Sequence, residues 1–135
     1  MFNPNTPKRI RNLYLELEDE GFIETRLINI FTPEADYFFT FINNGEDSIG
    51  SGEAAVLSLA ITNDAVVASN NFTDICKYVK EYNLQHVATS DILFECYQRK
   101  FITRREGDNI WKYMLKNRMK LPFNSFTEFL NDYIK

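Results

Sequence analysis

Apolar and polar positions alternate along this chain in blocks that switch between helical and strand-like periods. Ile10, Leu13 and Leu17 recur at helical spacing behind Thr6-Pro7, which predicts a helix with Thr6 as N-cap and Pro7 in its first turn, ended at Gly21. Residues 27–31 (LINIF) form a short apolar run that predicts a strand. Thr32-Pro33 repeats the start signal, with Glu34 and Asp36 where the helix dipole favours acids. Phe38, Phe39, Phe41 and Ile42 supply the apolar side of that helix, and Asn43-Asn44-Gly45 stops it. A helix over 52–62, a strand over 65–69, a helix over 72–82 and a strand over 86–88 follow. Ser90 is read as the cap of a helix over 91–100. Thr103/Glu106 and Ser125/Glu128 have capping-box spacing and open two last helices, to about 117 and 134, with Leu121-Pro122 as the hinge between them.

Short apolar strands alternating with helices predict an α/β fold, a short parallel sheet flanked by helices. Its three strands would be 27–31, 65–69 and 86–88. The length, 135 residues, suits one domain over 1–135.

Composition narrows the chemistry. Hydrophobic residues make up 44% and aromatics 15%, so a ring-rich core is expected. No apolar run approaches the ~20 residues of a membrane span, and Met1 leads straight into a polar stretch unlike a signal peptide, which predicts a cytoplasmic protein without a membrane partner. Cys76 and Cys96 match no zinc spacing and read as buried free thiols. The single histidine, His86, lies beside the apolar pair Val87-Ala88 and reads as structural. One histidine and no activated cysteine argue against Ser/His or Cys/His nucleophilic catalysis.

The net charge of −4 conceals a division. Residues 1–67 carry 4 bases and 11 acids, whereas residues 68–135 carry 11 bases and 8 acids. The densest basic stretch holds Arg99, Lys100, Arg104, Arg105, Lys112, Lys116, Arg118 and Lys120. Two readings stand: it attracts phosphates, or it is a solvated helix face.

Three acids fall just beyond loop-to-helix junctions. Glu53 opens the Ala/Leu/Val-rich helix, Asp74 follows the strand 65–69, and Asp91 follows the strand 86–88. Asn70 and Asn71 occupy the exit of the middle strand. Each acid suits a helix dipole. Together they would also present hard oxygen ligands at the C-terminal edge of a parallel sheet, where open α/β folds bind ligands.

The string Gly52-Glu53-Ala54-Ala55, followed by V-V-A-S-N-N-F-T-D, resembles the second half of PIN-like domains. Thr89-Ser90-Asp91-Ile92-Leu93, Lys100-Phe101-Ile102-Thr103 and the tail with Trp111, Met114, Leu121-Pro122 and residues 126–130 continue the resemblance, which spans 49–135. It implies a divalent-metal nuclease, a ribonuclease above all, toxin-like or part of a mobile-element system, using Mg²⁺ or Mn²⁺ to activate water for attack on a phosphodiester. It carries catalytic roles onto Glu53 and Asp74, and metal ligation onto Glu53, Asp74, Asn70 and Asp91. RNA or DNA would contact Arg99, Lys100, Arg104, Arg105 and Lys112. PIN domains begin with a hydrophobic strand ending in Asp; no such strand precedes this resemblance, and Asn70 stands where many members carry Asp. The implied fold is therefore PIN-like but N-terminally truncated. The alternative function is a non-cleaving PIN-like module for nucleic acid or protein. A protein partner or a second copy, in a homo-oligomer, would fill the gap in the sheet.

Overall fold

The computed structural model describes residues 4–135. Among them the chain forms seven α-helices and one sheet of two short parallel strands, a mixed α/β architecture dominated by helix. No helix among the described residues is long and apolar enough to cross a membrane.

The first helix, α1 (Lys8–Asp19), begins one residue later than Thr6-Pro7 predicts: Pro7 is its N-cap, without a side-chain cap. Gly21 adopts φ +75° just after the helix, as a C-terminal glycine should. None of the side chains of α1 is buried. After α2 (Pro33–Ile42) and a 3₁₀ turn (Gly45–Asp47) come α3 (Ser51–Asn63), β1 (Val67–Ala68), α4 (Phe72–Glu81), β2 (His86–Val87), α5 (Thr89–Gln98), α6 (Arg104–Lys116) and α7 (Phe126–Tyr133).

The strand expected at 27–31 does not form. Residues 24–29 are irregular and 30–31 form a turn. The Asn29 side chain accepts the Phe31 N–H (3.0 Å), and the Asn29 carbonyl accepts both the Thr32 N–H and its hydroxyl, so this segment turns into α2 instead of running along a sheet. Apolar content alone does not distinguish a strand from an exposed loop. A strand also needs a paired edge, and among the described residues no backbone hydrogen bond joins 24–31 to β1 or β2.

Two separate cores result. The first is built by α2, α3, β1 and α4 around Phe41, Ala54, Leu57, Val67, Ile75 and Tyr78. Ala54, Ser58 and Ala60 on α3 are small and buried, which lets α2 approach closely. The Phe41 and Tyr78 rings sit 4.6 Å apart, and the Tyr78 hydroxyl donates to the Asp47 carbonyl (2.7 Å) while accepting from the Asn44 amide (2.8 Å). That pair of bonds pins the 3₁₀ turn over the core. The second core is built by α5, α6 and α7 around Leu93, Trp111, Phe126, Phe129 and Leu130. Gly107 makes it possible: a Cβ there would lie 2.1 Å from Phe126 Cδ1, so α6 and α7 meet only because this position has no side chain.

The cores are joined through the sheet. β1 pairs in parallel with β2, Val67 opposite His86 and Ala68 opposite Val87, and β2 runs directly into α5. The His86 ring contacts the Ser69 carbonyl (2.7 Å) and stacks obliquely on Phe72, locking the strand exit. Ser90 does not cap α5. It lies buried inside the helix, and the Asp91 carboxylate takes the capping role by accepting the Ala88 N–H (2.7 Å). Cys76 and Cys96 are free thiols, but half-buried where the pattern predicts full burial, because each sits at the margin of its helix's apolar face.

The capping box of α6 forms as predicted. The Glu106 carboxylate accepts from the Thr103 N–H (2.7 Å) and hydroxyl (2.8 Å), and these bonds hold its pKa below the ordinary 4.5. A depressed folded-state pKa gives stability that is fully present above pH 4.5 and lost as pH falls through the lowered value. The first turn of α6 should therefore loosen only in acid. Glu106→Gln keeps the box and should abolish that acid-side change, read as amide exchange at residues 104–107 against pH.

Candidate functional site

The three helix-start acids are not equivalent. The α3 N-terminus places Glu53 beside the exit of β1, and α4 places Asp74 in its first turn facing the same exit. Asn71, the N-cap residue of α4, joins them: its Nδ2 donates to Glu53 Oε1 (3.2 Å) and to Asp74 Oδ2 (2.6 Å). The backbone at Gly50 lets Glu53 turn back over it. A Cβ on Gly50 would meet Glu53 Oε2 at 2.6 Å, so a larger residue would push the carboxylate aside.

Asn70 and Asp91 lie outside this group. Asn70 is directed across the sheet edge to Thr89, accepting its N–H (2.9 Å) and donating to its hydroxyl (3.0 Å). Asp91 is committed to the α5 cap. The metal-ligand set carried over from the resemblance thus divides: Glu53 and Asp74 come together, whereas Asn70 and Asp91 point to other partners. Asn71, and not the Asn70 to which the resemblance gives a metal-ligand role, is the amide of the strand exit that meets both acids. Its signal was present in the Asn71/Asp74 spacing, an N-cap and the third residue of its helix.

The two carboxylates supply hard oxygens of the kind Mg²⁺ accepts when water and phosphate complete its shell, whereas the Asn71 amide presents its nitrogen to both. Among the described residues no group of three or more His, Cys, Asp or Glu side chains converges. Beside Glu53 lies a cleft of about 230 Å³ lined by Gly52, Val56, Leu57, Val67, Ala68, Ser69 and Ile75. Its walls come from α3, β1 and, through Ile75, α4.

The basic stretch has a different character. Of its eight cations only Arg99 closes an ion pair among the described residues, with Glu95 (2.6 Å). The two acids within the stretch are engaged elsewhere: Glu106 caps α6, and Asp108 accepts the Thr127 N–H (2.8 Å) and hydroxyl (2.7 Å). On α6, Arg105, Lys112 and Lys116 fall within one stripe roughly 40° wide at 3.6 residues per turn, away from buried Gly107 and Trp111. Phe101 (73% exposed), in the turn before α6, and Tyr113 (69% exposed), on the helix itself, are exposed rings within this basic stretch. The charges are legible in the sequence, whereas the exposure of the two rings is not: that of Tyr113 follows from its phase on α6, that of Phe101 from the turn joining α5 to α6.

No protein-family model, curated protein or solved structure matches this chain. The functional reading therefore stands on its own residues.

Proposed function

We propose that this chain binds nucleic acid, single-stranded RNA in the first instance, through the basic and aromatic face of α6, as a PIN-like module that need not cleave. The observation that carries the reading is the set of seven cations, Lys100, Arg104, Arg105, Lys112, Lys116, Arg118 and Lys120, that close no ion pair among the described residues. A protein of net charge −4 that gathers positive charge along α6 and the turns flanking it invites a polyanion. Exposed Phe101 and Tyr113 add faces on which unpaired bases stack, a combination typical of single-strand binding. The test is fluorescence anisotropy with a labelled RNA oligonucleotide across a salt series. Three or more phosphate contacts predict a slope of log K against log salt near −2 or steeper, from about −0.7 per phosphate. Affinity indifferent to salt would remove the reading.

A second reading, divalent-metal cleavage, is favoured by the convergence of Glu53 and Asp74 on a single amide nitrogen. In it Glu53 and Asp74 would hold Mg²⁺ or Mn²⁺, with the Asn71 side chain turning its oxygen inward. A bound cation would supply an activated water and neutralise phosphate charge. If this holds, wild type cleaves RNA in Mn²⁺ and Glu53→Gln lowers the rate by on the order of 100-fold or more, since losing even an outer partner of a metal ligand costs about 10–100-fold. Equal rates for the two proteins would eliminate it.

A further inference from the structure

The N-terminal arm, residues 4–31, is unlike the rest of the chain. α1 makes no more than marginal contact with any other helix or strand, although Ile10, Leu13 and Leu17 give it an apolar stripe. The loop that follows carries Leu27 at 90%, Ile30 at 66% and Phe31 at 88% exposure. The arm is nevertheless ordered within itself. Thr25 Oγ1 donates to Glu18 (2.6 Å) and meets the Tyr14 hydroxyl, and the Phe22 and Ile23 N–H groups donate to the Leu17 carbonyl. Exposing this much apolar surface on a built element points to something that covers it.

The cover on the other side is equally visible. β1 uses one edge only: the Val67 and Ser69 N–H groups donate to Gln85 and Val87, so Ala68, between them, turns its N–H and C=O to the opposite side. A groove also runs between α3 and β1. One part is the 230 Å³ cleft beside Glu53; the other, about 540 Å³, is lined by Arg26, Val56, Leu59, Ala60, Asn63, Ala65 and Val66. Val56 is common to both parts and half-exposed.

The loop cannot fill this groove in its own chain without breaking its anchors. Arg26 Nη1 donates to Asn63 at the end of α3 (3.0 Å). Glu34, just past the loop in the first turn of α2, is held low in pKa first by its own backbone N–H and the Thr32 hydroxyl, and in smaller part by Thr62 at the end of α3 and by Arg26. Both ends of the loop are thus fixed at the same end of α3, and Leu27, Ile30 and Phe31 project from it. An extended strand along the whole groove needs its ends apart by ~3.3 Å per residue. A neighbouring molecule meets no such restriction.

We infer that a second copy of this chain seats its Leu27, Ile30 and Phe31 in the groove between α3 and β1, and receives the same loop in return. Leu27, Ile30 and Phe31 together offer roughly 450 Å² per copy, taking each large apolar side chain at about 150 Å², the low end of the aromatic range. Donated and receiving surfaces counted over two copies give on the order of 1,800 Å², within the range of a stable dimer. The exchange is reciprocal, which closes the assembly at two. It is independent of the nucleic-acid reading, since α6 lies in the other core.

Light scattering of the full chain over a concentration series, with hydrogen exchange at residues 24–31, tests the inference. The expected result is a dimer with a protected loop. The double variant Leu27→Asp/Phe31→Asp on the arm and Val56→Asp in the groove should each halve the mass and leave the helical circular dichroism unchanged, because all three residues are exposed in the monomer. A wild type that stays monomeric at every concentration overturns the inference. So does a monomer with a protected loop, which would place the loop in its own groove. A dimer that survives either substitution, or a ladder of larger species, also overturns it.

Discussion

Replacing Trp111 with alanine is expected to cost about 3–5 kcal/mol, the usual range for deleting a large buried ring. Trp111 is 0% exposed and sits at the centre of the second core. Its ring lies 5.5 Å from Phe129 and 5.9 Å from Phe126, and its Nε1–H donates to the Phe123 carbonyl (2.9 Å). Alanine removes all three contacts and leaves the carbonyl of a turn without its donor. Against a total stability of about 5–15 kcal/mol this is a large share. The effect should also be uneven. α5, α6 and α7 pack around Trp111, whereas α2, α3 and α4 pack around Phe41 and Leu57, and the sheet of two residues per strand is the main link. Amide exchange should rise first over 89–134, with 51–81 protected until higher denaturant. Trp111→Phe keeps a ring and loses the hydrogen bond, so it should cost only about 1–2 kcal/mol. An unfolding free energy from urea denaturation for Trp111→Ala within about 1 kcal/mol of wild type, on the order of the extrapolation error, would contradict this account of the core.

The second large effect is on binding. Arg105→Glu, Lys112→Glu and Lys116→Glu together should weaken RNA binding by at least ~100-fold at moderate salt and flatten the salt slope by about 2, since each lost phosphate contact takes about 0.7 from it. The fold should survive, because these side chains are exposed and close no ion pair among the described residues. Phe101→Ala with Tyr113→Ala should weaken binding too, but leave the slope unchanged, because stacking releases no counterions. The pair of variants therefore separates charge from stacking. If the triple reversal binds as well as wild type, α6 is a solvated face and the proposed function fails with it.

The helices and their caps were readable from the chain because they depend on neighbours three and four residues away. Thr103 with Glu106, Thr32 with Pro33, and Asn43 after Ile42 all act within one turn, and the structure places a helix boundary at each. The two strands 65–69 and 86–88 were found in the right places but shrink to Val67–Ala68 and His86–Val87, since a ladder extends only as far as its partner does. The third strand failed for the same reason. Residues 27–31 have strand composition, and composition cannot supply an edge to pair with.

The candidate site divides along the same line. Sequence spacing singled out Glu53, Asp74 and Asp91 as helix-start acids, and that local role is what each position shows. Which of them meet was decided by tertiary structure. Asn71 reaches Glu53 across 18 positions and brings it to Asp74, while Asn70, one residue away, turns to Thr89. Adjacent residues leaving a strand point to opposite sides, so a choice between two neighbouring asparagines is a choice of face, and only the packed sheet sets the face. The amino-acid sequence by itself determined where helices start and stop, how charge divides between the two halves, and which acids stand at helix N-termini. Tertiary structure alone decided that the apolar residues collect into two cores, that one edge of β1 stays open, and that Leu27 and Phe31 face outward, because those outcomes depend on contacts between positions far apart in the chain.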